Sequence, residues 1–320
     1  MKILIIGLDG ATFDALTPLV KMGYMPNLKS LMDSGFVAPL ESTIPPSTPP
    51  AWTSFMTGKE PRKHGIFDFF YFDRTTHKVS LVNSSLIRAQ TIWEYLSEKG
   101  KSVVVINLPL CFPPFEVNGI LVSGFDTPSV NSEFTYPKSL KTEILDLIPD
   151  YGFILTRKGD AAYATQYNHT CRNFIKAVKR AFKQRTELAL YLMRKLAWDV
   201  FHYQNTDHLQ HALWGYLDPE IYTRLSKRHR KRIQMVWRCY AFLDECIGEL
   251  IRECKDAVHI VLSDHGFGPY YGTLYINNLL LKEGFLSCSR VPKGKVVEAD
   301  RKSTTRIRSM LKHITPLSLR

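Results

Sequence analysis

The sequence contains no apolar run of membrane-spanning length and no closely paired cysteines. Its N-terminus, MKILIIGLDG, is apolar for only six residues before Asp9, which is too short for a signal-peptide core or a membrane span. The 6 cysteines form no CxxC pair and no zinc-ribbon spacing, so we expect reduced, mostly buried thiols. These features exclude disulfide frameworks and transmembrane helices, and they predict a cytoplasmic globular protein.

Acidic residues are outnumbered, and the formal net charge is +12. Residues 290–320 hold nine lysines and arginines against Glu298 and Asp300 and few apolar side chains, so a basic, loosely ordered tail is predicted, with early proteolysis after Arg290. A second basic run extends from Arg224 to Arg232. A solvated surface is favoured there over an anionic partner, because no nucleic-acid-binding motif accompanies it. No specific nucleic acid partner is therefore expected.

Short β-branched runs alternate with helical patterns, which predicts an α/β fold with a mainly parallel sheet and helices on both faces. The predicted strands are Ile3–Leu8, Phe36–Leu40, Ser102–Asn107, Ile120–Ser123, Asp199–Tyr203 and Val258–Leu262. The predicted helices include Asn27–Ser34, Ala51–Thr57, Thr91–Lys99, Lys138–Leu147, Cys171–Lys195 and Pro219–Cys254. Apolar residues from Ile233 to Ile251 recur at intervals of three or four, which predicts a buried stripe along the last helix.

Residues 1–289 are predicted to form one domain that precedes the basic tail. The stretch between Asp126 and Lys195 is longer than an ordinary crossover between strands, so a helical cap-like insertion is predicted at about residues 126–195. Tyr163 and Tyr167 could line this insertion, although ordinary packing positions are favoured for both.

The stretch STPPAWTSFMTG places two hydroxyls, Ser47 and Thr48, directly before a short apolar helix. Pro49 and Pro50 favour a helix start near Ala51, and Gly58 favours its end. Thr48 then lies at a helix N-terminus, where the dipole attracts an anion. A hydroxyl at this place either caps the helix or performs chemistry, and on this stretch alone capping is the favoured interpretation.

Residues that can bind metal ions gather where predicted strands end. Asp9 follows ILIIGL, Asp264 and His265 follow VHIVLS, and Asp207 and His211 follow the predicted strand DVFHY. Because ligands of open α/β sheets bind beyond the carboxyl ends of the strands, these side chains are expected at one edge. The i, i+4 spacing of Asp207 and His211 places both on one helix face. Carboxylate and imidazole ligands suit Zn²⁺ or Mn²⁺ and disfavour Mg²⁺ or Ca²⁺.

These segments resemble the ordered signature of the alkaline phosphatase superfamily, in its type I phosphodiesterase/nucleotide pyrophosphatase branch. The similarity is carried, in order, by GLDG with Asp9, TPPAWTSFMTG with Thr48, the HG at His64, Asp207 with His211, and SDHGFGP from Ser263. The resemblance implies a three-layer α/β/α sandwich, a metal-dependent phosphoesterase domain over residues 1–289, and a small phosphorylated substrate.

The resemblance also implies a site with two divalent ions, for which zinc is favoured and manganese is the alternative. One ion would be held by Asp9, Thr48, Asp264 and His265, and the other by Asp207, His211 and a later histidine. Thr48 would be the nucleophile and would form a covalent phospho-threonine, which water then hydrolyses with net retention at phosphorus.

Two features depart from this pattern. No asparagine closely follows Thr48, where many nucleotide pyrophosphatases use one to contact a phosphate oxygen. The histidine that follows His265 is His313, whose surroundings do not resemble the expected ligand segment, so the remaining ligand is unassigned and part of the C-terminal family domain is expected to be missing. The alternatives are a phosphomutase or phosphonate hydrolase of the same superfamily, or a non-catalytic relative that binds phosphorylated ligands.

Overall fold

The computed structural model describes residues 2–76, 78–153, 171–196 and 206–286. The chain divides into two units, Met1–Pro269 and Tyr270–Arg320. The predicted strand Asp199–Tyr203, residues 154–170 of the predicted cap-like insertion, which include Tyr163 and Tyr167, and the predicted basic tail lie outside the described residues.

The described strands of the first unit form two parallel and two antiparallel pairs. The strands are β1 (Ile3–Gly7), β2 (Phe70–Asp73), β3 (Lys78–Leu81), β4 (Val103–Leu108), β5 (Gly119–Ser123), β6 (Thr135–Tyr136) and β7 (Val258–Leu262). β1 pairs with β7 and β4 pairs with β5, both in parallel, while β6 runs antiparallel to β5. Every residue of β4 is buried, as expected of a strand covered on both faces. β2 and β3 form a separate antiparallel hairpin.

Helices surround these strands. In the first unit they are α1 (Phe13–Lys21), α2 (Pro26–Ser34), α3 (Thr48–Thr57), α4 (Pro61–His64), α5 (Ile92–Glu98), α6 (Leu140–Leu147), α7 (Cys171–Lys195), α8 (Thr206–Leu213), α9 (Pro219–Tyr222) and α10 (Arg230–Glu253). The second unit contains α11 (Ile276–Lys282). No helix in the described ranges is both long and apolar enough to cross a membrane.

Two hydrophobic clusters cover opposite faces of β1. Leu4 and Ile6 are fully buried in the larger cluster, which includes side chains of α1, α7 and α10. Ile5 points the other way, into a cluster around Trp52 and Trp93. The predicted stripe on α10 is confirmed, since most of its apolar positions are buried in the larger cluster or pack against it. Helices on both sides of parallel strands give the predicted α/β layers.

Two predictions about elements are wrong. The stretch Phe36–Leu40 is not a strand, and Phe36 is 92% exposed. The predicted helix Pro219–Cys254 is interrupted, because α9 ends at Tyr222 and α10 begins at Arg230. Ser226 has extended backbone (φ −65°, ψ 159°), which breaks the helical path inside the basic run.

Candidate metal centre

Four chain segments meet at the carboxyl edge of β1 and β7. Asp9 lies just after β1, and Asp264 and His265 lie just after β7. Because these strands pair in parallel, their ends reach the same edge of the sheet. Thr48 is the first residue of α3, and Asp207 is the second residue of α8.

The first predicted ligand set comes together in the structure. Thr48 Oγ1 lies 3.2 Å from His265 Nε2 and 3.4 Å from Asp9 Oδ1. His265 Nε2 lies 3.6 Å from Asp9 Oδ1 and 3.4 Å from Asp264 Oδ2. Asp9, Thr48 and Asp264 are buried. Hydroxyl, carboxylate and imidazole groups thus share one small, water-poor space.

Helix capping, the interpretation favoured from the short stretch alone, is wrong for this pair of hydroxyls. Ser47 precedes α3 in extended conformation and makes no side-chain capping bond. Thr48 lies inside the helix, and its hydroxyl contacts Asp9 and His265. The side chain is therefore directed toward the acidic and imidazole groups.

Asp207 and His211 share one face of α8, as their spacing predicts. Asp207 Oδ2 lies 3.3 Å from His211 Nε2, and the His211 ring packs edge-on against Phe267 with centroids 4.8 Å apart. Asp9, Asp207 and His265 each offer a ligand atom, and these atoms all lie within 4.8 Å of one another. Asp207 thus adjoins the first set. His313, the later histidine considered for the second set, lies outside the described residues.

Three carboxylates in this space disturb one another's ionisation. Burial raises the pKa of Asp9 well above its usual value, and the nearby charges of Asp264 and Asp207 add to the shift. Burial raises the pKa of Asp264 to about 7, and the charge of Asp207 adds to this rise. The hydrogen bond from the Gly10 N–H opposes it. For Asp207 burial acts in the same direction, but the hydrogen bond and charge of His211 outweigh it and lower its pKa. The centre therefore favours binding of positive charge.

The donors fit a divalent cation. Asp207 Oδ1 and Asp264 Oδ2 are buried and accept no hydrogen bond from the residues that the structure describes. Buried carboxylate oxygens without donors are costly unless a cation or proton neutralises them. Together with the imidazoles of His211 and His265, they form an oxygen and nitrogen donor set of the kind that binds zinc or manganese.

Gly10 holds the Asp264 carboxylate through its backbone and lies close to Asp207. Its N–H donates to Asp264 Oδ1 (3.0 Å), and its carbonyl accepts from Gln210 Nε2 (2.6 Å). Its φ is +67°, and an added Cβ would lie 3.0 Å from Asp207 Oδ1. A side chain at this position would be strained and would crowd the ligand. The Asp-Gly pair after β1 was the sequence signal for this turn.

Other contacts at the centre depend on tertiary structure and could not be predicted. Ser42 Oγ donates to the Asp264 carbonyl (2.6 Å), and Thr206 Oγ1 donates to the Asp9 carbonyl. Trp52 Nε1 donates to Asp9 Oδ2 (3.1 Å). These bonds fix the turns that carry the predicted ligands.

His64, in the HG motif, supports α3 from outside the centre. It is fully buried, with Nε2 2.9 Å from Ser54 Oγ, and its Nδ1 accepts the Ile66 N–H at 3.2 Å. Burial lowers its pKa. Its part in the motif is therefore structural.

Comparisons with known proteins give one family match. The profile of the type I phosphodiesterase/nucleotide pyrophosphatase family matches residues 3–316. No curated protein sequence matches the chain.

Solved structures resemble the fold. Phosphonoacetate hydrolase from Sinorhizobium meliloti 1021 in complex with phosphonoacetate has 18% identity and a TM-score of 0.58, over 98% of this chain and 73% of that one. An inactive murine ectonucleotide pyrophosphatase/phosphodiesterase 5 in complex with AMP has 15% identity and a TM-score of 0.49, over 83% and 57%. The first similarity confirms the predicted α/β fold.

Proposed function

Because the chain belongs to the type I phosphodiesterase/nucleotide pyrophosphatase family of phosphoric ester hydrolases, we propose that it hydrolyses a phosphoester bond with Thr48 as nucleophile. The observation that carries this proposal is the place of Thr48 Oγ1, between Asp9 Oδ1 (3.4 Å) and His265 Nε2 (3.2 Å). A hydroxyl among such acceptors is held with its proton directed away from an incoming phosphorus atom.

His265 is suited to present a lone pair to this hydroxyl. Its Nδ1 lies 2.8 Å from the Gly266 carbonyl, and because a carbonyl only accepts, Nδ1 carries the proton. In the neutral imidazole, Nε2 is then the unprotonated nitrogen that faces Thr48. The tautomer of His265 thus follows from its backbone contact.

Two divalent ions fit the proposal, with zinc favoured and manganese as the alternative. Asp9, Thr48, Asp264 and His265 would hold one ion, and Asp207 and His211 would contribute to the other. When bound, the ions supply positive charge that favours the alkoxide of Thr48 and offsets the negative charge of the phosphoryl oxygens.

The reaction proceeds in two displacements at phosphorus. The Thr48 oxygen forms a bond to phosphorus as the ester oxygen leaves, and water then breaks the bond between phosphorus and Thr48. Each displacement inverts the phosphorus, so the product shows net retention. Pro49 and Pro50 have no N–H, so the helix N-terminus offers fewer backbone donors to the phosphoryl group than usual.

The substrate is proposed to be a small phosphodiester or a nucleotide-type ester. The similarity to a phosphonoacetate hydrolase makes a phosphonate the second candidate. An assay panel of an aryl phosphate monoester, an aryl phosphodiester, a dinucleotide and phosphonoacetate, each with zinc and with manganese, separates these classes. A chain that binds fewer than two ions and converts none of these compounds is instead a non-catalytic relative.

The first prediction tests the nucleophile. Thr48→Ala should abolish turnover and leave the fold intact, since only one hydroxyl and one methyl are lost, whereas Ser47→Ala should change turnover little. Acid-quenched wild-type reactions should contain a peptide that includes Thr48 and carries the phosphoryl group with its remaining ester substituent, detected by mass spectrometry. Equal losses in both variants, or phosphate on neither residue, would contradict the assignment.

A further inference from the structure

The indole of Trp52 is a buried donor to the carboxylate of Asp9. Trp52 is fully buried, and its Nε1 donates to Asp9 Oδ2 at 3.1 Å. Thr48 and Trp52 are four residues apart in α3, so they share one helix face. That face contacts both oxygens of Asp9, with Thr48 beside Oδ1 and Trp52 at Oδ2.

The orientation of the Asp9 carboxylate depends on this kind of contact. The terminal torsion of an aspartate is soft, and Asp9 has no exposed surface through which water could solvate Oδ2. Without a donor at Oδ2, the carboxylate could turn either oxygen toward Thr48 and His265. A buried acceptor without a donor would also raise the energy of the site.

Packing holds the indole in place. Trp52 packs edge-on against Phe55, with ring centroids 5.5 Å apart and planes at 90°. Both rings belong to the cluster on the Ile5 face of β1. The hydrophobic core therefore fixes the ring, and the ring in turn fixes the carboxylate.

We propose that Trp52 is a positioning residue that holds Asp9 Oδ2 and thereby directs Oδ1 toward Thr48 and His265. This inference rests on the proposed function, since it assigns Asp9 to the metal centre. Helix α3 then carries both the proposed nucleophile, Thr48, and the residue that orients Asp9, Trp52.

The chain offers a matched pair of variants to test this inference. Trp52→Phe keeps an aromatic ring and removes the N–H. Trp93→Phe makes the same change in the same cluster, but Trp93 Nε1 has no hydrogen-bond partner among the described residues. Trp93 is also 1% exposed, so the two variants are alike in packing and differ in the lost bond.

Zinc affinity, measured by titration against a chromophoric chelator, is the main readout. Trp52→Phe should weaken zinc binding by about tenfold or more, the usual effect of removing a group that orients a ligand, and should lower kcat with little change in KM. Trp93→Phe should leave zinc affinity unchanged. Equal affinities in Trp52→Phe and wild type would overturn the inference, as would equal weakening in both variants.

A measurement on the unmodified chain covers the case in which Trp52→Phe does not fold. The chain has 5 tryptophans, and ¹⁵N-tryptophan labelling gives each an indole N–H resonance. Trp→Phe spectra at the other four positions, Trp93 included, identify their resonances and leave that of Trp52 by elimination. Zinc should shift the Trp52 resonance and not that of Trp93. An unmoved Trp52 resonance would overturn the inference. If the proposed nucleophile is wrong, Thr48→Ala will retain turnover. That result is separate from the zinc titrations and does not alter them.

Discussion

The carboxyl group of Asp126 shows how burial alone can control ionisation. Its Oδ2 accepts the Phe112 N–H at 3.1 Å, and its Oδ1 accepts no hydrogen bond within the described part of the chain. Burial raises its pKa to about 7, and bonds from backbone N–H groups only partly oppose the shift. The folded protein therefore holds this side chain protonated below about pH 7.

Asp126→Asn should relieve a pH-dependent loss of stability. Because the folded pKa lies above the unfolded one, the folded chain binds more protons between about pH 4 and pH 7, so this group lowers the free energy of unfolding as pH rises through that range. Asparagine does not ionise. Relative to wild type, the free energy of unfolding of the variant should increase by roughly 2 to 3 kcal/mol as pH rises from about 5 to about 8. Urea denaturation with chelator present measures this difference. A difference that is constant with pH would contradict this account.

The sequence identified the side chains that the structure brings together at the centre better than the side chains that support them. Asp9, Asp264 and His265 could be identified because each directly follows a strand pattern, and parallel strands bring their ends together. Trp52 could not, since an apolar helix gives the same pattern whether its indole N–H is bonded or free. Only the approach of β1 to α3 supplies its acceptor.

The N-terminus of α2 is capped by a residue of α10, a helix distant in sequence. The residue before α2, Met25, makes no side-chain capping bond. Asp244, in the middle of α10, accepts instead from the backbone N–H groups of Asn27 (2.9 Å) and Leu28 (2.8 Å). A Cβ at Gly248 would lie 2.5 Å from the Asn27 side chain, so glycine permits this close approach.

Asp244→Ala should destabilise the fold by about 2 to 4 kcal/mol, because it leaves buried N–H groups without acceptors. Asp244→Asn should cost less, since its amide oxygen can still accept one bond. The exposed neighbour Glu245 supplies the control, and Glu245→Ala should change stability by less than about 0.5 kcal/mol. Urea denaturation measures all three. Equal effects at 244 and 245 would show that Asp244 does not cap α2.

Helices and strands were predictable where their patterns were local. The strand β1 and the helix α7 lie where the periodicity placed them. Phe36–Leu40 has a strand-like composition, but a strand needs a neighbour for its hydrogen bonds, and none of the described strands pairs with it. Helix α1 was not predicted because Pro18 lies inside it, and proline normally ends such a pattern.

Without bound metal, the convergence of three carboxylates, of which Asp9 and Asp264 are buried, destabilises the first unit of the chain. The raised pKa values of Asp9 and Asp264 mean that the folded state retains protons that the unfolded state releases. These two carboxyl groups therefore lower the stability of the metal-free protein as pH rises toward 7. A divalent ion must displace these protons, so it binds more tightly as pH rises.

Zinc should raise the unfolding temperature, and the increase should grow as pH rises through about 7. At a free zinc concentration 100 times Kd, the free energy of unfolding increases by about 2.7 kcal/mol. For a chain of this size that raises the unfolding temperature by several degrees. Calorimetry with zinc and with chelator, at pH 6 and pH 8, measures it. Asp264→Asn is the control and should lose most of the increase. A zinc effect independent of pH would contradict the role assigned to these carboxyls.

The pairing of β1 with β7 also determines when during protein synthesis the centre can form. The bond from Gly10 to Asp264 joins positions 254 apart. At a synthesis rate of roughly 5 to 20 residues per second, a ribosome needs on the order of 10 to 50 s to connect them. During that interval Leu4 and Ile6 have emerged without the strand that pairs with theirs, which is the state that chaperones recognise. A ribosome that stalls before residue 258 therefore holds a nascent chain in which Asp9 and Thr48 exist and their partners do not.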